Sequence, residues 1–343
     1  MMPSADPPIA CVTMQKDEDR FLGPWLAWHG HLFGYGNLWV IDNGSVSPQV
    51  LATLATFEAL GVHVVRAYAS HADYLNKGVI VGEYIRALDM TGRYRLLIPS
   101  DCDEFIATRT DSGFTCDRAA ILEALAALYS ENRVLRIPFQ IANNPFRDDC
   151  YIRFEFFKTF FASGTFLSLD HGHHRGQSRK STDRRDTSLV HIHYHYPAYE
   201  QIKEIARKKW IGDEPLDGIE SAAAYTGPFQ HLVRNFFMER PEYEALFAEQ
   251  PQFHLPAFRR ALQQLGQPIG TTMPDAAPAA VRTPLILPPN RAAHLPEVAW
   301  FDEAWYTAQY PDVAQGDMSA LAHFCLFGFK EGRWPCAPND RGQ

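Results

Sequence analysis

The sequence predicts an α/β fold: a Rossmann-type, mostly parallel sheet with helices on both faces, a mixed C-terminal half and a small helical appendage. Three observations predict it. Short apolar strands alternate with amphipathic helices from Ile9 to Phe139, the strands run out into polar clusters, and after Asn143 the texture changes to short aromatic-rich strands. Strands separated by helices of about ten to fifteen residues need parallel crossovers, which cover a sheet on both faces.

The first strand is the β-branched and apolar run Ile9 to Met14, ending in the charged loop Lys16 to Arg20. Phe21, Leu22, Trp25, Leu26, His29, Leu32 and Phe33 then recur at helical spacing, with Pro24 tolerated in the first turn and Gly34 and Gly36 as stops. Asn37 to Ile41 is a second strand that enters the polar turn Asp42 to Ser45. A helix from about Pro48 to Leu60, a strand at Val62 to Arg66, a helix from about Asn76 to Asp89 and a strand at Tyr94 to Pro99 repeat the pattern. A helix over Arg118 to Tyr129 and a strand over Arg133 to Phe139 follow, and the aromatic-rich strands fall at Tyr151 to Phe161 and Thr165 to Leu169.

At 343 residues the chain exceeds the roughly 250 at which single cores stop growing, so two units are expected. The boundaries read as a main domain over 1–250, a proline- and small-residue-rich linker over 251–296, and a helical module over 297–343. A net charge of −8 disfavours nucleic acid as a partner, while a small diphosphate needs only one local patch or a bound cation. The N-terminus lacks a basic segment followed by an apolar run, and no window approaches 18 consecutive apolar residues. A cytoplasmic protein without a transmembrane segment is expected, with peripheral membrane contact left open. The six cysteines are scattered singly, which points to reduced thiols and away from a zinc ribbon.

Ligands of such sheets gather beyond the carboxyl ends of the strands, where Lys16 to Glu18, Asp42 to Ser45 and Asp101 to Glu104 fall. In an extended segment residues i and i+2 face one side, so Asp101 and Asp103 are the expected clamp for Mn²⁺ or Mg²⁺, hard cations that bridge diphosphate oxygens. A solvated turn or a helix cap is the bland alternative. Asp42 is placed to accept hydrogen bonds from a ribose or base, or else to close an Asx turn. Six histidines fall in two runs: His171, His173 and His174, then His191, His193 and His195, which alternate on one strand face. One of them beside the carboxylates would complete a metal shell and a second could bind diphosphate as a cation, with the choice among the six open at this point. Lys158, Arg175, Arg179, Lys180, Lys208 and Lys209 are basic neighbours in sequence, most of them expected to be solvated. Lys16, Glu18, Asp42, Asn43, Ser45, Lys77, Asp101 and Lys208 are the expected donor-binding residues.

The segments KDEDRFLGPWLAWHGHLFG, LWVIDNGS, LLIPSDCDEF and VHIHYHYPAYEQI together resemble the bacterial glycosyltransferases of the family 2 type, in particular the branch related to family 92. Lys16, Glu18, Trp25, Trp28 and His29 match that family's opening pattern, with Asp17 in place of its asparagine. Asp42, Asn43 and Ser45 match its Asp-Asn-x-Ser, and Asp101, Asp103, Glu104 and Phe105 its Asp-x-Asp-Glu-Phe. A later His-Tyr followed by basic residues looks like His193, Tyr194 and the Lys208 region, with Ala198 where the family often has serine; the resemblance implies His193 as the late metal ligand and Lys208 on the donor. The likeness covers roughly residues 8 to 215. It implies a GT-A fold, a nucleotide-sugar donor with a UDP-sugar favoured, a Mn²⁺ or Mg²⁺ ion, a glycan or lipid-linked glycan acceptor, and inversion at the anomeric carbon.

Inversion requires a base beside the acceptor hydroxyl, with Asp170, Glu155 and Asp149 as candidates. The tail over 301–335 resembles a short module attached to many bacterial surface-polysaccharide glycosyltransferases, through Tyr306, Pro311, Asp312, Val313, His323, Gly328, Glu331, Gly332, Arg333 and Pro335. Two rival functions remain at this level. A metal-dependent phosphoesterase would use the Asp-x-Asp with the clustered histidines, and a non-catalytic glycan-binding protein would retain the fold alone.

Overall fold

The computed structural model describes residues 7–111, 113–202, 236–248, 250–269, 303–314, 320–323 and 333. The strands and helices of the first half follow the expected order: β1 (Ile9–Gln15), α1 (Leu22–Phe33), β2 (Leu38–Asp42), α2 (Pro48–Ala59), β3 (His63–Val65), α3 (His71–Leu75), α4 (Lys77–Met90) and β4 (Leu96–Pro99). β3, β2, β1 and β4 are neighbours in that order and every pairing among them is parallel. The fold is α/β. Period-two alternation gives this sheet two cores. Ile9, Cys11, Leu38, Val40, Leu96 and Ile98 pack against Trp25, Leu26, Leu54 and Phe57 of α1 and α2. Ala10, Val12, Trp39, Ile41 and Leu97 point the other way, onto Ile80, Val81 and Ile85 of α4.

The chain continues through β5 (Glu104–Thr110), β6 (Gly113–Thr115), α5 (Arg118–Ala126), β7 (Val134–Ile137), β8 (Phe139–Asn143), β9 (Cys150–Phe154), β10 (Lys158–Ala162), β11 (Phe166–Ser168), β12 (Gln177–Ser178), β13 (Arg184–Asp186) and β14 (Leu189–His193). β10, antiparallel to both β4 and β7, extends the first sheet, and β13 closes it as a seventh strand. A second sheet of six strands has β14 at its centre, parallel to β8 and antiparallel to β5. Antiparallel pairing begins earlier than the change of texture after Asn143, in the β5–β6 pair, so mixed pairing sets in directly after β4.

Part of the expected linker is folded instead. Within 251–269, β15 (Gln252–His254) pairs with β9, and α7 (Pro256–Gln264), which follows α6 (Arg240–Ala248), buries Phe258 and Leu262 in the main core. Pro256 sits in the first turn of α7, where a missing N–H is harmless, so proline there starts a helix. The rest of that segment, 270–296, lies outside the described residues. In the tail, α8 (Glu303–Gln309), α9 (Pro311–Ala314) and α10 (Ala320–His323) bury Tyr306, Val313 and Ala320 in a small cluster of their own. No helix among the described residues is long and apolar enough to cross a membrane.

Candidate functional site

The carboxyl ends of β1, β2 and β4 lie side by side. Gln15 is in register with Asp42, and its side-chain amide donates to Asp42 Oδ1 at 2.8 Å. The Ser45 hydroxyl donates to the same oxygen at 2.5 Å and the Ser45 N–H reaches it at 3.3 Å, so Asp42 closes the polar turn by a bond three residues on, one longer than an Asx turn. Asn43 points away from this network and donates to the carbonyls of Tyr68 and Ser70, which ties down the loop before α3. Asp17 adopts a left-handed conformation (φ 51°) and its carboxylate accepts the N–H groups of Val46 at 2.7 Å and Ser47 at 2.8 Å. Asp, like Asn, tolerates that region, which accounts for an aspartate at a turn where asparagine would also fit. Glu18 is half-buried on the same loop and Lys16 is exposed.

At the tip of β4 the chain does not stay extended. It turns, the Glu104 N–H bonding the Asp101 carbonyl at 3.1 Å, and the i, i+2 argument for a shared cation fails there. Asp101 instead holds two ammonium groups: Lys77 on Oδ1 and Lys158 on Oδ2, the latter at 2.6 Å. Lys158 also meets Glu104 Oε1 at 3.1 Å and donates to the Gly172 carbonyl at 3.0 Å. Burial alone would raise the Asp101 pKa, but Lys158 and Lys77 overcome it and hold the carboxyl well below its ordinary range. Burial is the largest single influence on both lysines and works to deprotonate them, but Asp101, joined by Glu104 at Lys158, leaves their pKa raised. Lys77, expected on the donor, and Lys158, noted only as a basic neighbour, thus form one buried cluster with Asp101 and Glu104.

Asp103 faces outward and its Oδ2 lies 3.5 Å from His193 Nε2, whose other ring nitrogen is 3.2 Å from Gln140 Oε1. Although burial lowers the His193 pKa, Asp103 raises it above the usual value. Among the described residues no three His, Cys, Asp or Glu side chains form a ready metal shell. Mg²⁺-type ions commonly take one or two protein ligands and complete their shell with substrate phosphates and water, and Asp103 with His193 fits that lesser demand. Asp103 keeps a third of its side chain exposed, so the pair is open on one side.

The other histidines diverge. His191 is buried 3.8 Å from Glu104, and burial pulls its pKa down to about 4 even though Glu104 pushes upward. His173, buried in a left-handed turn (φ 60°), has neither ring nitrogen hydrogen-bonded; burial and then Lys77 keep its pKa well below the ordinary value. His171 stacks edge-on against Tyr74, and His174 lies 2.6 Å from the Phe157 carbonyl. The turn carrying them presses on the start of α4, where a Cβ on Gly78 would come within 2.5 Å of the Asp170 backbone. Asp170 itself accepts the Arg175 N–H at 2.5 Å. Glu155 is largely exposed and pairs with Arg153 at 3.2 Å. Asp149, also left-handed, lines a cavity of ≈ 10 Å³ with Tyr151, Tyr194 and Arg259, room for about one water. Lys208 lies outside the described residues.

Neutral buried histidines set the acid response of the fold. His29 (brought to about 3 by burial), His191 and His173 all have folded pKa values below the unfolded ~6.5, so their contribution is complete above pH ~6.5 and is lost as pH falls toward the folded values. His193, raised by Asp103, works in the opposite sense. Its effect falls above pH ~6.5, so net uptake of about three protons on unfolding is expected between pH ~6.5 and ~4, with His191 alone contributing on the order of 3 kcal/mol. Asp101 adds a loss only below pH ~3.8. Thermal midpoints measured across this range should fall steadily as pH drops, and a flat profile from pH ~6.5 to ~5 would contradict it.

No family model and no curated protein matches the chain. Among solved structures, the chain is similar to the crystal structure of S. aureus TarS with a TM-score of 0.32 and 11% identity, over 70% of this chain and 46% of that one. It is also similar to the crystal structure of S. aureus TarS 1-349, with a TM-score of 0.30 and 9% identity, over 70% of this chain and 75% of that one. The chain therefore spans less than half the length of the fuller TarS structure.

Proposed function

We propose that this chain is a metal-dependent glycosyltransferase that moves a sugar from a nucleotide-sugar donor, a UDP-sugar in the first instance, to a hydroxyl of a glycan or lipid-linked glycan. We further propose that it does so with inversion, in bacterial polysaccharide or glycoconjugate synthesis. The observation that carries the proposal is the Asp103–His193 pair, open to solvent at the edge where the tips of β1, β2 and β4 meet. Asp42 and Gln15 stand at one end of that edge as polar partners for a ribose or base.

Charge balance argues for an ion. Lys77 and Lys158 are already matched by Asp101 and Glu104, so an arriving pyrophosphate finds no net positive charge in the buried cluster. Asp103 and His193 would hold Mn²⁺ or Mg²⁺ there, and the bound ion would offset negative charge on the departing diphosphate. The protein's own part is to fix those ligands: Gln140 orients the His193 ring, and the turn at Asp101–Glu104 aims Asp103 outward. For the base beside the acceptor we propose Glu155, an exposed carboxylate paired only loosely with Arg153 at 3.2 Å. Asp149 sits in a cavity too small for an acceptor, and Asp170 is engaged within its own turn.

Thermal-shift titration with UDP, GDP and CDP, each with and without Mn²⁺, tests the proposal. A native-state ligand at about 100 times its Kd adds roughly 2.7 kcal/mol, so UDP with Mn²⁺ should raise the midpoint by several degrees and UDP alone by less. Absence of any nucleotide response, with or without the ion, would leave the protein without a donor site.

A further inference from the structure

Beyond His193, on the side away from Asp42, the site continues as a run of rings that the donor reading leaves unused. Phe154 lies 5.4 Å from His193 and 4.4 Å from His195; Phe156 lies 4.9 Å from Phe154 and 5.6 Å from His174. Phe156 is 51% exposed although it belongs to this cluster of five rings. A large apolar side chain that leans on other aromatics yet keeps half its surface in water is a ready stacking platform.

We infer that Phe156, supported by Phe154 and His174, is the floor of an acceptor subsite that takes a pyranose ring on its apolar face. The ring set selects a sugar over a purely apolar occupant. Phe154 and Phe156 offer C–H stacking surface and His174, His193 and His195 set polar ring edges beside it, and a pyranose presents the same mixture of axial C–H groups and equatorial hydroxyls. Position selects the acceptor over the nucleobase. The ribose and base partners Gln15 and Asp42 end β1 and β2 of the first sheet, whereas Phe154 ends β9 of the second, with Asp103 and His193 between them. A donor stretched from Asp42 to Asp103 puts its transferable sugar toward His193, and the molecule that receives it belongs on the far side.

The subsite rests on the glycosyltransferase proposal for its role, but not for its detection. Saturation-transfer NMR on the full chain, with methyl α- and β-glycosides of glucose, galactose and N-acetylglucosamine as probes, reads it without turnover. Phe156→Ala, at a half-exposed position, should keep the wild-type thermal midpoint and its response to UDP with Mn²⁺, and should bind the best glycoside about tenfold more weakly; Phe156→Trp should restore binding. Undiminished glycoside signal in Phe156→Ala, or no signal from any glycoside with the wild type, overturns the inference. Loss of the UDP response in Phe156→Ala overturns it too, because the ring would then serve the nucleobase. Failure of the wild type to respond to UDP would sink the donor proposal separately, with the glycoside signal still readable.

Discussion

Replacing Lys158 with methionine should lower stability by about 3–5 kcal/mol, the usual cost of removing one partner from a buried ion pair. The methionine stem fills the same space, so packing is largely kept. What is lost is the ammonium that meets Asp101 Oδ2, Glu104 Oε1 and the Gly172 carbonyl from a side chain only 5% exposed. Asp101 retains Lys77, but Glu104, fully buried, keeps the Asp101 N–H at 3.2 Å and no cation closer than the rings of His191 and His193 at 3.8 and 3.9 Å. At roughly 2–4 °C per kcal/mol for a domain of this size, the midpoint should drop by about 6–20 °C. Adding Glu104→Gln to Lys158→Met should recover part of that drop, since the stranded charge is then gone. A single-variant shift under about 2 °C would show that the cluster contributes little.

Replacing Asp103 with alanine should act on turnover and spare the fold. Loss of outer-shell partners of a metal site commonly costs 10–100-fold, and loss of a ligand itself should cost at least about a hundredfold in Mn²⁺-supported donor turnover. The side chain is one-third exposed and meets His193 at 3.5 Å, so the thermal midpoint should move by no more than a few degrees. Asp101→Asn offers the contrast: it leaves two ammoniums short of a charge and should damage stability first. Near-normal turnover in Asp103→Ala would remove the ion from that aspartate.

The parallel half of the fold was legible in the sequence because each strand is a single apolar run, and each helix has one stripe of large side chains. Predicted bounds for the first strand and helix differ from β1 and α1 by one residue at one end. The tip of β4 was harder, because an Asp-x-Asp read as extended gives two carboxylates on one side, and a single turn at Asp101 sends them apart. Only tertiary neighbours decide that: Lys77 comes from α4 and Lys158 from β10, 24 and 57 residues away. One signal was present for Lys158, the one charge within FFKTFFA, since a lysine in an aromatic strand must either turn outward or find a carboxylate. The folded part of 251–269 was masked by its prolines, which read as linker in composition though one of them opens α7.

Gly78 gives this arrangement an unexpected narrowness. Its bare α-carbon lets the 170–172 backbone rest directly on the first turn of α4, and that backbone supplies the Gly172 oxygen on which Lys158 leans. One added methyl group would wedge the turn away from the helix, and the lysine would lose its seat before any ionisable group had been altered. The electrostatics of the strand tips are thus governed in part by a residue that carries no charge and no side chain.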